Sequence, residues 1–323
     1  MGDPGLRQAW LHELLVCPAC GSDLMVRDAS SLTCPSGHTV PVVRGIPRFT
    51  APSSYADSFG FEWTEFPRLQ LDDESGTESE ETFRTKTGLT AEDVRGRSVL
   101  DAGCGMGRFT DVVARWGAER VVGADISRAT DAAGQNLADM SNVAVIQADL
   151  RELPLRAASF DIVFSMGVLH HTPSTLQSLR RIARFVKPGG LLAIWVYSRR
   201  LRWTLLGGEI LRPATNRMPP ERLLRAIKAV VPRVSAIKEA VPAAAAPLDF
   251  LLPTSNHPDP EWQILDTFDW YSPRYQWKHT YPEVEEWFRR LGMVDVRRLE
   301  VPVSVRGRRP ADPQGAESST SME

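Results

Sequence analysis

The chain has 323 residues, of which 42% are hydrophobic and 24% charged, and its formal net charge is −2. This length allows one full α/β domain and a small extra module, and the apolar content is ordinary for a globular protein. Because no apolar run approaches the roughly eighteen residues of a membrane span and the first residues lack a secretory signal pattern, we expect a cytoplasmic protein without disulfides.

Three of the four cysteines lie near the start of the chain and form a metal-binding pattern with one histidine. Cys17 and Cys20 make a C-x2-C pair, and Cys34 and His38 follow as C-x3-H. Three thiolates and one imidazole suit tetrahedral zinc and leave no coordination position open. We therefore predict a structural zinc ribbon over residues 1–50, with buried thiols that bind no metal as the alternative.

Residues 51–95 are acidic, and we interpret them as a linker and an N-terminal arm. Asp57 to Asp93 contains eleven acidic and three basic side chains, and its Ser-, Glu- and Thr-rich centre from Glu74 to Thr82 predicts a flexible linker. Four aromatic residues before this centre either pack over a ligand pocket or cover the outer face of a sheet. They are Phe59, Phe61, Trp63 and Phe66.

The stretch SVLDAGCGMGRF, residues 98–109, predicts a ligand-binding turn. A buried strand ends in Asp101, and glycines at 103, 105 and 107 follow before a helix that begins near Phe109. Glycines at this spacing allow a sharp turn and let a ligand lie against the backbone. A second strand, VVGADIS, ends in Asp125, twenty residues after Gly105, the spacing at which a carboxylate reaches ribose hydroxyls.

Two further strands also end in polar residues. VAVIQADL ends in Asp149, which we expect to meet the base of a nucleoside, and FDIVFSMGVLHH ends in His170 and His171, where a substrate would enter. Open α/β sheets bind their ligands at the carboxyl ends of the strands, so these groups are predicted to share one site.

The segments VLDAGCGMGRF, VVGADIS, IQADLRELPL, FDIVFSMGVLHHTP and LRRIARFVKPGGLLAIWVY occur in this order over about one hundred residues. Together they resemble the cofactor half of the class I S-adenosylmethionine-dependent methyltransferases. A nicotinamide-binding loop would place its third glycine at 108, where this chain has Arg108. The resemblance implies an α/β fold with a doubly wound, seven-stranded Rossmann-like sheet, and an S-adenosylmethionine-binding core over residues 96–198. The predicted cofactor-binding residues are Asp101, Gly103, Cys104, Gly105, Gly107, Asp125, Ile126, Asp149, Leu150 and Ser165.

The segment HTVPVVRGIPRF after the zinc ligands resembles the small zinc-binding activator of tRNA and protein methyltransferases. The C-x3-H pattern also resembles the zinc module of bacterial guanine-N1 methyltransferases that act on 23S ribosomal RNA. Similar modules precede methyltransferases of sugars and other small molecules, so the module does not decide the substrate class.

Residues 199–262 interrupt the methyltransferase pattern and predict a helical cap above the active-site mouth. Apolar residues recur at helical spacing from Leu223 to Val231, and prolines divide the stretch into short pieces. A lid of this kind excludes water and holds the substrate, whereas a membrane-facing or partner-facing segment is the alternative.

Basic residues are concentrated between Arg180 and Arg233, where thirteen lysines and arginines stand against two glutamates. Such an excess attracts polyanions, and it is also typical of solvated helix faces. We favour the second interpretation.

Residues 263–309 resemble the closing part of the methyltransferase core, and the polar tail 310–323 is predicted to be disordered. DTFDWYSPRY predicts an aromatic loop, Thr280 and Glu283 form a capping box at the start of a helix, and Gly292 ends that helix. Two antiparallel edge strands are predicted near residues 294–299 and 301–305.

The absence of two motifs excludes two types of methyl transfer. Cytosine-C5 methylation needs a nucleophilic thiolate, but Cys104 lies in the glycine loop and the other three cysteines are assigned to zinc. Adenine-N6 methylation needs a signature after the fourth strand, where this chain has SMGVLHHT. In-line transfer of the sulfonium methyl to oxygen, nitrogen or carbon remains. The candidate general bases are His170, His171 and His279, and Arg108 is expected at the protein surface or beside a carboxylate.

We therefore interpret the protein as an S-adenosylmethionine-dependent methyltransferase with a structural zinc, acting on a small molecule such as a sugar or a secondary metabolite. The alternatives are an rRNA or tRNA base methyltransferase of the guanine-N1 type and a non-catalytic scaffold that binds a partner through the ribbon. The slightly acidic net charge and the lack of interleaved aromatic and basic residues speak against RNA. The intact glycines and the ribose acid speak against a scaffold.

Overall fold

The computed structural model describes residues 6–50, 55–72, 77–199 and 206–311. A short 3-10 helix, Ala9–Glu13, leads into an N-terminal module with a small antiparallel sheet. The strands of this sheet lie in the order β1 (Met25–Asp28), β2 (Ser31–Thr33), β3 (Thr39–Val43) and β4 (Ile46–Pro47).

The main domain is built on a seven-stranded sheet with the order β10-β11-β9-β8-β5-β6-β7. Strands β5 to β9 are parallel, and β11 and β10 complete the sheet as an antiparallel edge. The predicted α/β, doubly wound sheet is confirmed. Its strands are β5 (Ser98–Ala102), β6 (Arg120–Asp125), β7 (Val143–Gln147), β8 (Phe160–Met166), β9 (Val186–Trp195), β10 (Val294–Arg298) and β11 (Ser304–Arg308).

Eleven α-helices surround this sheet among the described residues, along with short 3-10 turns at Leu150–Glu152, Leu169–His171 and Pro242–Ala244. Parallel strands that are covered on both faces need continuous apolar sequences, and β5 and β7 are buried along almost their whole length. The helices are α1 (Asp57–Glu65), α2 (Glu78–Thr87), α3 (Ala91–Val94), α4 (Arg108–Arg115), α5 (Ala129–Asn136), α6 (Thr175–Ala183), α7 (Leu206–Thr215), α8 (Pro220–Ala240), α9 (Ala245–Leu251), α10 (Pro260–Tyr271) and α11 (Tyr281–Arg290).

The strand order reverses between β5 and β8. From β5 the chain continues to β6 and β7 on one side, and from β8 it continues to β9 on the other. The connections leave the sheet in opposite directions at this point, so a crevice opens at the carboxyl ends of β5 and β8. The order of the strands therefore determines where a ligand can enter.

The N-terminal module packs on the β7 edge of the large sheet. The Phe49 N–H donates to the Gln147 carbonyl oxygen at 2.8 Å, and Leu15 forms a β-bridge with Leu155. Arg48 donates to Asp131 on α5 at 2.6 Å. Buried side chains of the module belong to the same apolar core as those of β5 to β9, so the two parts support each other.

Two predicted loops are helices in the structure. The linker prediction for Glu74 to Thr82 is wrong from Glu78 onward, because α2 begins there; residues 74–76 lie outside the described part. Phe83 drives this helix onto the sheet, since its fully buried ring packs against Phe164 at a centroid distance of 4.9 Å. Burial of one such ring contributes about 1.5–3 kcal/mol.

The predicted aromatic loop DTFDWYSPRY is also wrong in its first half, because α10 continues to Tyr271. Leu265 and Phe268 lie one turn apart on this helix and are buried against α8, where Leu223 and Leu224 form the other side of the contact. Tertiary packing thus gives the segment its helical form. Residues 199–262, predicted to form a helical cap, contain helices α7 to α9 and the start of α10, which extends the same layer. Residues 200–205 lie outside the described part.

The C-terminal prediction is confirmed at the helix and shifted at the last strand. Thr280 and Glu283 form the predicted capping box of α11, and Gly292 adopts φ 72° just after this helix. The last strand begins at Ser304, later than the sequence suggested. Residues 312–323, most of the predicted disordered tail, lie outside the described part. In the described residues, no helix has both the length and the apolar character that a membrane crossing requires.

Candidate active site

A cavity of about 540 Å³ lies at the carboxyl ends of β5, β6, β8 and β9. Its floor is formed by the glycine loop after β5 and by the residues after β8, and its roof by α1, α2 and α10. Helices from the N-terminal arm and from the cap therefore enclose the crevice of the sheet. Of the four aromatic residues of the arm, Phe59 and Trp63 line this cavity. These two residues agree with the alternative in which the arm packs over a ligand pocket.

The glycine loop turns sharply between β5 and α4. Gly103 adopts φ +97°, and a Cβ at this position would lie 2.5 Å from the Val168 side chain. The Gly103 N–H donates to the Ala124 carbonyl oxygen at 2.7 Å, and the Gly105 N–H donates to Asp125 Oδ2 at 3.0 Å. Only glycine is compatible with position 103, because the positive φ and the close approach of Val168 both exclude a side chain.

Asp125 lies at the end of β6 with its carboxylate held in place. Ser127 donates to Oδ1 from its N–H at 2.8 Å and from its hydroxyl at 2.7 Å, while Gly105 donates to Oδ2. Burial raises the pKa of Asp125, and these hydrogen bonds act in the opposite direction. The side chain is thus a preoriented acceptor at the cavity wall.

Six of the ten predicted cofactor residues line the cavity, and four do not. The lining residues are Gly103, Cys104, Gly105, Asp125, Ile126 and Leu150. Gly107 instead precedes α4 as its N-cap, and Ser165 is buried and donates to the Ala102 carbonyl oxygen at 2.6 Å. These two residues shape the loop from behind.

The other two residues outside the cavity lining are acids. Asp101 is buried beneath the glycine loop, where the Thr110 hydroxyl donates to it at 2.7 Å, and burial raises its pKa to about 7. Asp149 accepts from the Arg151 guanidinium at 2.6 Å and caps the short turn after β7. The structure therefore gives both carboxylates partners within the protein.

Of the three candidate bases, only His171 lines the cavity. The His171 Nδ1 atom lies 2.8 Å from the Tyr275 carbonyl oxygen, and Nε2 has no hydrogen-bond partner among the described residues. Burial lowers the pKa of His171 to about 4, and Arg212 acts in the same direction. Its ring packs against Phe59 at a centroid distance of 5.0 Å.

The structure places the other two histidines away from the cavity lining. His170 is fully buried, and its ring packs on Tyr197 at 3.9 Å between centroids. His279 Nε2 lies 2.9 Å from the Thr175 hydroxyl and Nδ1 lies 3.2 Å from Glu283. Both side chains hold neighbouring segments together, and neither faces a space in which a substrate would bind.

Several cavity residues were not identified from the sequence. Arg108 is half-buried in the cavity wall, where its Nε donates to Ser79 at 2.9 Å and its guanidinium lies 5.2 Å from the Trp262 ring centroid. Of its two expected positions, the surface is wrong, and the neighbourhood of carboxylates agrees with the structure, since Glu78, Asp72 and Asp266 act on Arg108. Lys86 Nζ lies 3.4 Å above the Trp195 ring centroid, and burial lowers its pKa to about 7. Besides Asp125, the carboxylates that join these cations in the lining are Glu62, Glu78, Asp266 and Asp269.

The predicted metal ligands form a compact group in the N-terminal module. The ligand atoms of Cys17, Cys20, Cys34 and His38 all lie within 4.8 Å of one another. Cys20 Sγ is 3.6 Å from Cys34 Sγ, which in turn is 3.4 Å from His38 Nδ1. Zinc–sulfur bonds of about 2.3 Å require sulfur atoms about 3.7 Å apart in a tetrahedron, so the donor set fits this metal.

Comparisons with known proteins agree with this geometry. Residues 100–194 match the family model described as a methyltransferase domain. The 27-O-demethylrifamycin SV methyltransferase of Amycolatopsis mediterranei is 39% identical over 131 residues, which cover 38% of this chain and 47% of that protein. The ubiquinone biosynthesis O-methyltransferase of Coxiella burnetii is 31% identical over 121 residues, or 36% of this chain and 51% of that protein.

Two further comparisons complete these findings. The tRNA U34 carboxymethyltransferase of Methylococcus capsulatus is 36% identical over 102 residues, which cover 31% of this chain and 32% of that protein. A solved O-methyltransferase family protein from Burkholderia thailandensis is 17% identical with a TM-score of 0.45, over 78% of this chain and 59% of that chain. The chain spans about half the length of the first two curated relatives. Residues 100–194 thus match a methyltransferase domain, in agreement with the resemblance of the sequence motifs to the class I S-adenosylmethionine-dependent methyltransferases.

Proposed function

We propose that the protein transfers the methyl group of S-adenosylmethionine to a hydroxyl of a small molecule. The observation that carries this proposal is the cavity itself, which His171, the glycine loop and Asp125 line together beneath the roof helices. The names of two relatives, both of which are O-methyltransferases, favour oxygen as the acceptor.

The cofactor would occupy the part of the cavity next to the glycine loop. Asp125 accepts hydrogen bonds there and would hold the ribose hydroxyls, while Ile126 and Leu150 offer apolar contacts to the adenine. Gly103 and Gly105 leave backbone surface free for the methionine part of the cofactor. The cofactor supplies an electrophilic methyl group, and the chain supplies orientation and exclusion of water.

His171 is our candidate for the general base. The Tyr275 carbonyl oxygen can only accept a hydrogen bond, so we assign the ring proton to Nδ1 and the free lone pair to Nε2. Because His171 lines the cavity and Nε2 has no hydrogen-bond partner among the described residues, we assign Nε2 as the proton acceptor for the substrate hydroxyl. Proton removal by a positioned histidine contributes about 10²–10⁴-fold to such reactions.

The pH dependence of kcat/KM follows from the lowered pKa of this base. Because the pKa of His171 is lowered to about 4, Nε2 is unprotonated at and above pH 5.5, and titration of this ring is expected to leave kcat/KM unchanged from there to pH 8. A histidine with its usual pKa of about 6.5 would lose rate across this range as its ring gains a proton. The measurement is a pH profile of initial rates for the wild type and for His171→Gln; a fall on the acid side centred near 6.5 that the variant lacks contradicts the assignment.

A second candidate function is methylation of RNA. One relative is named a tRNA U34 carboxymethyltransferase, and α8 has exposed basic residues suited to phosphate contacts. These residues are Arg222, Arg225, Lys228 and Arg233. The roof of α1, α2 and α10 over the cavity favours the small molecule, because a base that belongs to a polynucleotide must pass between these helices.

We also propose that the Cys17, Cys20, Cys34 and His38 group holds a structural zinc. The spacing of the ligand atoms supports this assignment, and all four positions of a tetrahedron are filled by protein atoms. A zinc ion in such a closed site stabilises the fold and takes no part in methyl transfer.

The test of the proposed function is a transfer assay with labelled S-adenosylmethionine. The purified protein is incubated in parallel with a small-molecule extract and with total RNA, both from a strain that lacks the gene. Label in the small-molecule fraction is expected. Label in RNA that disappears at higher salt would contradict the small-molecule proposal and identify the basic face of α8 as a phosphate-binding surface.

Asp125→Asn is expected to weaken the binding of S-adenosylhomocysteine by about 10- to 100-fold. Loss of the charge weakens the hydrogen bonds to both ribose hydroxyls, and bonds to charged groups are worth about 1.5–3 kcal/mol each. Isothermal titration calorimetry measures this change. Asp161→Asn is the control, because Asp161 pairs with Lys187 at the opposite end of β8. An equal loss in both variants would assign the effect to general destabilisation.

A further inference from the structure

The roof of the cavity carries four carboxylates. Glu78 on α2 lies 3.7 Å from His257 Nε2, and the other three, Glu62, Asp266 and Asp269, are here called the acidic cluster. Glu62 lies on α1, while Asp266 and Asp269 lie three residues apart on α10, a spacing that places both on one face of a helix. Segments from the N-terminal arm and from the cap therefore bring these charges together. The sequence motifs of the family do not include this group.

Glu62 is the least compensated member of the acidic cluster. Its side chain is only 2% exposed, and its Oε2 atom has no hydrogen-bond partner among the described residues. The charged groups that act on it are Asp269 and Asp266, and together with burial, which is the larger cause, they raise its pKa well above the usual range. A buried carboxylate without a partner is costly, so this atom is a binding position that a ligand can satisfy.

The other two carboxylates already have donors. The Tyr197 hydroxyl donates to Asp269 at 2.7 Å, and the Ser255 hydroxyl donates to Asp266 at 2.9 Å. Cationic groups also face them: Arg212 acts on Asp269, and His257 and Arg108 act on Asp266. Lys86, on α2, faces Asp266 as well. This asymmetry singles out Glu62 as the vacant acceptor of the acidic cluster.

The face of α1 determines where Glu62 lies relative to the reaction. Phe59, Glu62 and Trp63 follow the i, i+3, i+4 pattern and line the cavity together. Phe59 packs on His171. The Trp63 indole nitrogen lies close to Gly105, 3.3 Å from the point where a Cβ would stand if this glycine had a side chain. Glu62 therefore lines the same cavity as the candidate base and the glycine loop, on a helix whose neighbouring side chains contact both.

Aromatic rings supply the walls around this carboxylate. They attract cations through their electron-rich faces, and each well-placed ring adds about 0.5–2 kcal/mol. Two of them already hold cations of the protein, since Lys86 lies over Trp195 and Arg108 over Trp262. The rings that line the cavity are Tyr55, Phe59, Trp63, Phe109, Trp195, Tyr197, Trp262 and Trp270.

We propose that the acceptor of this methyltransferase carries a protonated amine that binds to Glu62, in addition to the hydroxyl that faces His171. The inference rests on the proposed function and names the substrate class of the same cavity. A protonated nitrogen has no lone pair, so the amine is an anchor and the hydroxyl is the methyl acceptor. In the transfer, the oxygen–methyl bond forms as the sulfur–methyl bond breaks, and the hydroxyl proton passes to His171 Nε2. The products are a methyl ether and S-adenosylhomocysteine.

The test compares two probes of nearly equal shape, benzylamine and benzyl alcohol, of which only the first is a cation at pH 7. Binding of each probe to the full chain is measured by ligand-observed NMR titration, with and without saturating S-adenosylhomocysteine. We expect benzylamine to bind at least about tenfold more tightly, the difference that one charge-assisted hydrogen bond supplies. Equal binding of the two probes, or binding of neither, overturns the inference.

Glu62→Gln keeps the size of the side chain, removes the charge, and is expected to abolish the tenfold preference. Glu65→Gln is the matched control, because Glu65 is exposed on the same helix and lies 3.9 Å from Lys228. A preference that persists in Glu62→Gln overturns the role of this residue. Should that variant fail to fold, Asp266→Asn, which removes a second charge of the cluster, is expected to reduce the preference.

Binding of S-adenosylhomocysteine and preference for the amine are measured separately, because the first tests the cofactor site and the second tests Glu62. Amine preference without any binding of S-adenosylhomocysteine contradicts the methyltransferase proposal and supports the amine site. Binding of S-adenosylhomocysteine without amine preference retains the methyltransferase proposal and overturns the amine site.

Discussion

His171→Gln is expected to lower kcat by about 100-fold or more, while the affinity for S-adenosylhomocysteine stays within about threefold of the wild type. The side chain is the one candidate base that lines the cavity, and its Nε2 lone pair is free. Glutamine removes the imidazole lone pair and keeps an uncharged polar side chain of similar length in the loop after β8. The measurement is single-turnover methyl transfer to the acceptor that the extract assay identifies.

His279→Gln is the matched control for this experiment. His279 contacts Thr175 and Glu283 outside the cavity lining, so its loss should affect stability more than the chemical step. A kcat within about threefold of the wild type is expected for this variant. If His171→Gln retains wild-type kcat, another group removes the proton; Asp269, whose pKa is raised mainly by burial, then becomes the candidate.

The sequence predicted the cofactor half of the fold because that half is built from local patterns. Each parallel strand is a short apolar run followed at once by a polar or glycine-rich turn, and these turns must meet at one edge of the sheet. Asp125 and Gly105, twenty residues apart in the chain, both line the cavity and are joined by a hydrogen bond of 3.0 Å. The geometry of β5 and β6 alone brings them together.

The substrate half was not predictable in the same way. Glu62 and Asp269 are separated by more than two hundred positions, and neither lies in a motif. In the sequence, Glu62 belongs to an acidic segment, and Asp269 belongs to an aromatic stretch that reads as a loop. Only the packing of α1 and α10 over the sheet makes them neighbours. The spacing of Asp266 and Asp269 was the one available signal, and it has this meaning only once the segment is known to be helical.

The contacts of the Arg108 and Ser165 side chains could not be predicted from the sequence either. Arg108 was expected at the surface or beside a carboxylate, and the first turn of α4 directs it toward Trp262 in the cavity wall, where Asp266 acts on it. The family resemblance implied that Ser165 contacts the cofactor, yet its hydroxyl donates to a neighbouring strand at Ala102. Strand and helix ends locate a site, whereas the contacts of each side chain depend on segments that are distant in sequence.

Cys34→Ser is expected to release the zinc and to lower the midpoint of thermal unfolding by about 10 °C or more. Closed zinc sites contribute about 10–16 kcal/mol of apparent binding energy in isolated modules, and one lost thiolate removes a large part of it. Zinc content per chain and calorimetric unfolding measure the two effects. Cys104→Ser is the control for zinc content, because Cys104 lies in the glycine loop and is not in the ligand group.

The loss of the zinc module is also expected to reach the cofactor site. Arg48, which follows β4, donates to Asp131 and to Thr130 on α5 and to the Gln147 side chain at the end of β7. The Gln147 side chain in turn donates to the Ile126 carbonyl oxygen at 3.0 Å, beside Asp125. This chain of contacts runs from the ribbon to the proposed ribose site, so Cys34→Ser should weaken S-adenosylhomocysteine binding several-fold. Full zinc content and unchanged unfolding in this variant would contradict a structural metal at these four residues.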